Sequence, residues 1–296
     1  MTSDKDYRSG LFFALVTGLC FSIVGIVDKV GSTQTNNPFI FSTQSLLFSL
    51  LFSFIFSLFY FKGLPIKEIK KIPFLTWGLV ILIGILASGL AILLRFIGLK
   101  ESTGTFATLS QIITTSVTVI LAWIFLKERL SKIAWVFFII IVISMYFVSV
   151  GKLAFLDIKQ GDKFILLGAL FIGIANIFSK KAVHIINPIL LSLGRFLFGF
   201  IFLLLIISFF IGNKDILKLS NYWVILSGLL WSVNVIGFNL AIKRIGVTFT
   251  TSLLMMGPVI TMILEYLLLG YQFTLVQIIA AMVVIVSGIA IILTKD

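Results

Sequence analysis

Two residue types are almost missing from this 296-residue chain, which has one cysteine, Cys20, and one histidine, His184. A single thiol supports neither a disulfide framework nor a cysteine metal cage, and a single imidazole excludes any site built on two. No metal and no cofactor is therefore expected. Acidic residues are scarce as well: 11 Asp and Glu stand against 23 Lys and Arg, for a formal net charge of +12. Charged residues of both signs reach only 11%, where a soluble domain carries about 25%. The nucleophile elbow GxSxG, the zinc-binding HExxH and the phosphate-cradling GxxxxGK are all absent, and no carboxylate pair falls within one apolar run. The chain is not expected to be an enzyme, and no catalytic residue is assigned.

Apolar side chains take the place of what is missing. They make up 60% of the sequence, with 31 phenylalanines among them. A water-soluble fold of this length has too little interior to hide them. Runs of about 20 apolar residues, the length that crosses a bilayer, number ten: 11–30, 39–61, 74–95, 104–126, 133–150, 164–180, 188–211, 222–242, 247–268 and 274–293. The first follows Arg8 without a small-residue cleavage site, so it reads as a retained span and not as a signal peptide. Short segments rich in Gly, Asn, Pro, Lys and Asp join the runs, and the basic residues cluster there. That distribution is the one that sets membrane topology, so no nucleic acid is expected as a partner. Fourteen Lys and Arg fall on the side that carries the tail with Lys5 and Arg8, and eight fall on the other. The positive-inside rule places both termini in the cytoplasm, in a multi-pass protein of the cell membrane.

The sequence also repeats. GIVDKVGSTQTNNPFIFSTQSLLFS resembles NIFSKKAVHIINPILLSLGRFLFG, with Lys29 on Lys180 and Asn37-Pro38 on Asn187-Pro188. GLKESTGTFATL resembles AIKRIGVTFTTS, with Lys100 on Lys243 and Thr105, Phe106 and Thr108 on Thr248, Phe249 and Thr251. Each half, 1–151 and 152–296, then holds five spans. Because five is odd, the second half enters the membrane from the opposite face. The expected fold is an all-α polytopic membrane protein of ten transmembrane helices in two inverted five-helix repeats, an architecture of secondary transporters.

These landmarks resemble the drug/metabolite transporter superfamily, specifically its ten-helix EamA-type branch. The resemblance runs over essentially the whole chain. It rests on the NP start of the second span in each half, on Arg195 after Asn187-Pro188, on Lys100 with the small residues behind it, and on Glu128 in FLKERLS. The sequence departs from the pattern at Tyr271, opposite Glu128, at Ser45, opposite Arg195, and in a fifth span with few glycines. The resemblance implies that the fifth and tenth spans pack peripherally, and that the chain exports amino acids or related metabolites.

Arg195 is the residue that least suits its surroundings. It lies seven positions beyond Pro188 in a run of Ile, Leu and Phe, roughly 10 Å along a helix. A charge at the bilayer centre costs about 2.5–3.5 kcal/mol even on the lenient insertion scale. Such an arginine either snorkels to the cytoplasmic headgroups or points into the bundle, where it can receive a carboxylate. Polar residues at helical spacing mark further candidates for a substrate path: Thr108, Gln111 and Thr115 in the fourth span, and Thr251 in the ninth. Trp231, Asn234 and Phe238 share one face of the eighth span, and Asn176 is an amide in the middle of the sixth. Each of these has a plainer reading, in which Ser and Thr let helices approach and aromatics fill volume. Two carboxylates lie within or near the ends of apolar runs and outside the lysine-rich loops. Asp28, beside Lys29, reads as an interface residue. Glu265 reads either as a static partner of Arg95 or as a group that couples transport to protons.

The expected function is secondary transport of a small organic metabolite by alternating access, with export of an amino acid or related compound foremost. An exporter of lipophilic cations is the alternative, drawn from Trp231, Phe238 and Glu265, and a channel is a more distant one. The expected partners are a small-molecule substrate and the lipid bilayer, with a homodimer among the assemblies open to the chain.

Overall fold

The computed structural model describes residues 4–35, 37–102, 106–107, 110–128, 131–150, 159–210 and 220–293. Every regular element among them is helical. Seven helices are long and apolar enough to cross a membrane: α1 (Asp6–Thr33, continued back to Asp4), α2 (Pro38–Phe61), α3 (Phe74–Leu99), α6 (Gln160–Ala182), α7 (Pro188–Phe209), α8 (Trp223–Ile245) and α9 (Val247–Leu268). Three shorter apolar helices accompany them: α4 (Gln111–Leu126), α5 (Lys132–Val148) and α10 (Leu275–Ile291). Phe106 and Ala107 are already helical ahead of α4. A five-residue helix, Ile66–Lys70, sits in the connection between α2 and α3.

The helices form where the apolar runs lie, because a chain in hydrocarbon must satisfy its N–H and C=O groups within the segment. Their outward faces are wide and greasy, with Phe59, Phe74 and Phe209 all more than three-quarters exposed. The protein is a multi-pass membrane protein. Its two Asn-Pro landmarks do the same local work. The Asn37 side chain accepts the Phe39 N–H at 2.9 Å, and the Asn187 side chain accepts the Ile189 N–H at 3.0 Å. Each asparagine supplies one of the acceptors that a helix start lacks, and the proline behind it has no N–H to satisfy.

Two helices carry internal irregularities that hydropathy does not reveal. The α3 backbone widens into a π segment over Gly84–Leu90. The α9 backbone breaks at Met255 and Met256, between Val247–Leu254 and Gly257–Leu269. Pro258 lies in the first turn of the second piece, so it accommodates the break without losing a hydrogen bond.

Helix contacts come in matched pairs. α1 lies along α8, and α6 lies along the second half of α3. α2 packs on α8, and α7 packs on the π segment of α3. α4 meets α6 as α9 meets α1, while α2 meets α7 and α5 meets α10. Exchanging every helix for the one five places away maps this set of contacts onto itself. α5 and α10 share a core in which Phe138, Ile141 and Met145 pack with Ala280, Ala281 and Val284.

The closest approach that bears on the pathway is between α3 and α7. A methyl group built on Gly84 would come within 2.9 Å of the Arg195 carbonyl, and one on Gly199 within 3.0 Å of the Gly84 carbonyl. Only glycine permits this crossing, and it sets Arg195 directly against the π segment.

Candidate substrate pathway

A cavity of about 40 Å³ lies at the centre of the bundle. Its polar lining comes from Gln111 and Thr114 of α4, Asn176 of α6, Arg195 of α7, and Trp231 and Asn234 of α8. Phe21, Ile172, Val235, Phe238 and Leu254 close the rest. One water needs about 10–15 Å³ of such space, so the cavity as it stands has room for a few waters.

Arg195 is 4% exposed. Its Nε donates to Ser88 Oγ at 2.9 Å, and Ser88 belongs to the π segment of α3. That bond fixes the guanidinium's edge in a side chain that also lines the cavity. Among the described residues, Arg195 is the charged one that lines this cavity. The amides beside it are already held: Asn176 Nδ2 donates to Thr118 Oγ1 at 3.1 Å, and Asn234 Nδ2 donates to the Thr17 carbonyl at 3.0 Å. Gln111 Nε2 reaches Thr115 Oγ1 at 3.3 Å.

The sequence candidates therefore separate into three groups. Arg195, Asn176, Trp231, Asn234, Gln111 and Phe238 come together around one cavity. Thr115 and Thr251 meet each other instead. Thr115 Oγ1 donates to the Thr251 carbonyl at 3.1 Å, while Thr251 Oγ1 bonds back to Val247 in its own helix. That contact joins α4 to α9 and contributes no wall to the cavity. Thr108 lies outside the described residues. Glu265 is buried in the second piece of α9 and does not line the cavity.

Two expectations about charge need correction. Arg95 does not pair with Glu265; its Nε donates to Asp28 Oδ2 at 3.2 Å. Asp28 is not an interface residue, because it is 0% exposed. Ser227 Oγ donates to Asp28 Oδ1 at 2.6 Å, and Trp231 Nε1 donates to Oδ2 at 3.2 Å. Ser45 Oγ lies 2.7 Å from Ser227 Oγ. Since Ser227 has spent its one proton on Asp28, Ser45 must be the donor there. Helices α1, α2, α3 and α8 thus converge on one carboxylate. Asp28 reads as an interface residue from sequence because Lys29 follows it near the end of an apolar run, and a linear hydropathy reading gives no depth. Phe21, an aromatic among many in α1, carried no signal.

Two lysines make matched contacts, Lys29 near the end of α1 and Lys180 near the end of α6. Lys29 Nζ donates to the Leu99 carbonyl at 2.7 Å, and to that of Ser102, at the end of α3. Lys180 Nζ donates to the Ile242 carbonyl at 2.9 Å near the end of α8 and sits 3.4 Å from Glu128 Oε1. Lys29 matches Lys180 and Leu99 matches Ile242 in the sequence repeat, so the two bonds are one contact made twice. Glu128 also receives the backbone N–H groups of Val247 and Thr248, at 3.4 and 3.0 Å, where α9 begins. Gly246 turns the chain there at φ +86°.

The fold and the sequence have known counterparts. A protein crystal structure superposes with a TM-score of 0.76 over 97% of this chain and 98% of its own, at 14% identity, a likeness of fold. The uncharacterized transporter YyaM of Bacillus subtilis (strain 168) is 23% identical over 290 residues, which cover 94% of this chain and 90% of that protein. The model of the EamA-like transporter family matches twice, over residues 8–150 and again over 159–294. With those two matches taking in nearly every residue described above, the chain belongs to the EamA-like transporter family and is a membrane transporter.

Proposed function

We propose that the chain is an alternating-access carrier for a small organic metabolite bearing a carboxylate, an amino acid or a related compound, and that it exports this solute across the cell membrane. The observation that carries this reading is Arg195. It is a buried guanidinium whose Nε bonds Ser88, and it lines a cavity walled by amides and aromatic rings. A planar cation in a low-dielectric site receives a carboxylate through paired hydrogen bonds. Phe21, Trp231 and Phe238 suit an apolar side chain on the same solute.

The mechanism follows from the duplicated contacts. Ten spans in two inverted five-helix repeats, 1–151 and 152–296, with both termini cytoplasmic, make Lys29 the outer latch and Lys180 the inner one. Both lysines make their carbonyl bonds here, and the cavity is small. Release of one latch at a time exposes Arg195 to one face at a time, which is alternating access around a fixed site. The matched helix contacts and the matched lysine bonds both support this arrangement. An exporter of lipophilic cations draws less support, because a cation in this cavity would meet Arg195 with no carboxylate among the described lining residues to balance it.

Counterflow into proteoliposomes tests the proposal, with three probes that share one apolar group: leucine, 4-methylpentanoate and isopentylamine. Saturable, trans-stimulated movement of the two carboxylates is expected. Movement of the amine alone would favour the cation exporter, and an unsaturable current would favour a channel.

A further inference from the structure

The ion pair behind the cavity wall has no counterpart in the second repeat. Lys29 matches Lys180, so Asp28 matches Ser179, and Arg95 matches Phe238. Both mates are neutral and buried, at 1% and 6% exposure. The fold therefore closes the equivalent place with a hydroxyl and a phenyl ring, and the charges in the first repeat are not a packing requirement. Buried ion pairs seldom stabilise a protein more than apolar replacements of similar size do. This one needs another reason to exist.

Its position supplies the reason. The Arg95 guanidinium stands 5.6 Å from the ring of Phe21 and 5.7 Å from that of Trp231. Both rings also line the cavity that Arg195 lines. Arg95 is thus one side chain removed from the solute's space. It is also incompletely engaged. Nε serves Asp28, Nη1 donates to the Ala107 carbonyl at 3.0 Å, and Nη2 is buried with no hydrogen-bond partner among the described residues. Asp28 does not depend on Arg95 alone, since it keeps the hydroxyl of Ser227 and the indole N–H of Trp231.

We infer that Arg95 is a second binding station for the carboxylate of the transported solute, held in reserve by Asp28, which occupies it as an internal carboxylate until the solute arrives. This rests on the carboxylate reading of Arg195. The solute's carboxylate leaves Arg195, passes the Trp231 face and takes Arg95 from Asp28; Asp28 stays served by Ser227 and Trp231, and reclaims Arg95 when the solute departs. A single deep arginine would hold an anion too well, and two stations with a built-in competitor let it go.

The test is equilibrium binding of 4-methylpentanoate to the purified protein, with counterflow as a second readout. Asp28→Asn removes the competitor and should lower the half-saturating concentration about tenfold, the weight of one charge-assisted hydrogen bond. The double variant Asp28→Ser/Arg95→Phe carries the second repeat's residues and is neutral overall. It should fold, bind at Arg195 without the tenfold gain, and exchange the probe at least about tenfold more slowly than the parent. If Asp28→Asn does not fold, the double variant's exchange rate decides alone. Parental binding in Asp28→Asn, or parental exchange in the double variant, with binding still lost in Arg195→Ala, overturns the second station and leaves the carrier intact. Binding of isopentylamine in place of 4-methylpentanoate by the parent protein overturns both readings.

Discussion

Replacing Lys29 or Lys180 by methionine keeps the length of the side chain and removes its charge. Lys29 gives up bonds to the carbonyls of Leu99 and Ser102. Lys180 gives up the Ile242 carbonyl and a contact with Glu128 in which both side chains are partly exposed, at 15% and 22%. A hydrogen bond from a charged donor is worth about 1.5–3 kcal/mol, and a partly exposed ion pair adds about 0.5 kcal/mol. Each substitution should therefore weaken one closed end, by at least about 2 kcal/mol at Lys180 and at least about 3 kcal/mol at Lys29. That moves the open–closed balance at that end by a factor of at least about 30. A cysteine at Val235, buried on the cavity wall, reports the change in a protein whose Cys20 is replaced by serine. Lys29→Met should speed its reaction with an impermeant maleimide applied to the face that carries Lys29, and Lys180→Met should do so from the opposite face. Faster labelling from the same face in both variants, or unchanged labelling in both, would refute the latch reasoning.

Glu128→Ala strips the start of α9 of its acceptor and Lys180 of its carboxylate, and should cost about 2 kcal/mol in denaturant unfolding; Glu128→Gln, whose amide oxygen can still accept, should recover part of that, and a loss below about 0.5 kcal/mol in the alanine variant would show that the cap is idle. His184, in the turn after α6, has its pKa held below the ordinary value, first by desolvation and then by Lys180 and Lys243, with Glu128 opposing. The unfolded chain therefore takes up the proton more readily, so native stability is lost as pH falls from about 6.5. His184→Gln should flatten that decline, and an unchanged decline would show that the histidine plays no part in it.

Much of this molecule was legible before its structure, and the limits of that reading are physical. Helix positions follow from run lengths, because the bilayer forces each apolar stretch into a self-satisfied helix. Arg195 was legible as a charge where a charge is expensive. So was the duplicated Asn-Pro cap, whose two asparagines accept the N–H two residues on. Depth was not legible: Asp28 and Lys29 are adjacent, yet the first is wholly buried beneath Trp231 and the second caps the end of another helix. Nor was backbone irregularity legible, since nothing in GILASGL marks a π segment that turns Ser88 towards Arg195. The threonine stripe marked two helices that meet, and the bond that joins them, from the Thr115 hydroxyl to the Thr251 carbonyl, was not legible in it.

The central claim is that Arg195 receives the carboxylate of a transported solute. The most direct measurement is the half-saturating concentration for 4-methylpentanoate counterflow in Arg195→Ala and Arg195→Lys proteins that fold as the parent does. The account predicts a rise of at least about tenfold for alanine and a smaller one for lysine, which keeps the charge and loses the paired donors. A parental half-saturating concentration and rate in Arg195→Ala would contradict it, and would leave the guanidinium serving only the contact with Ser88.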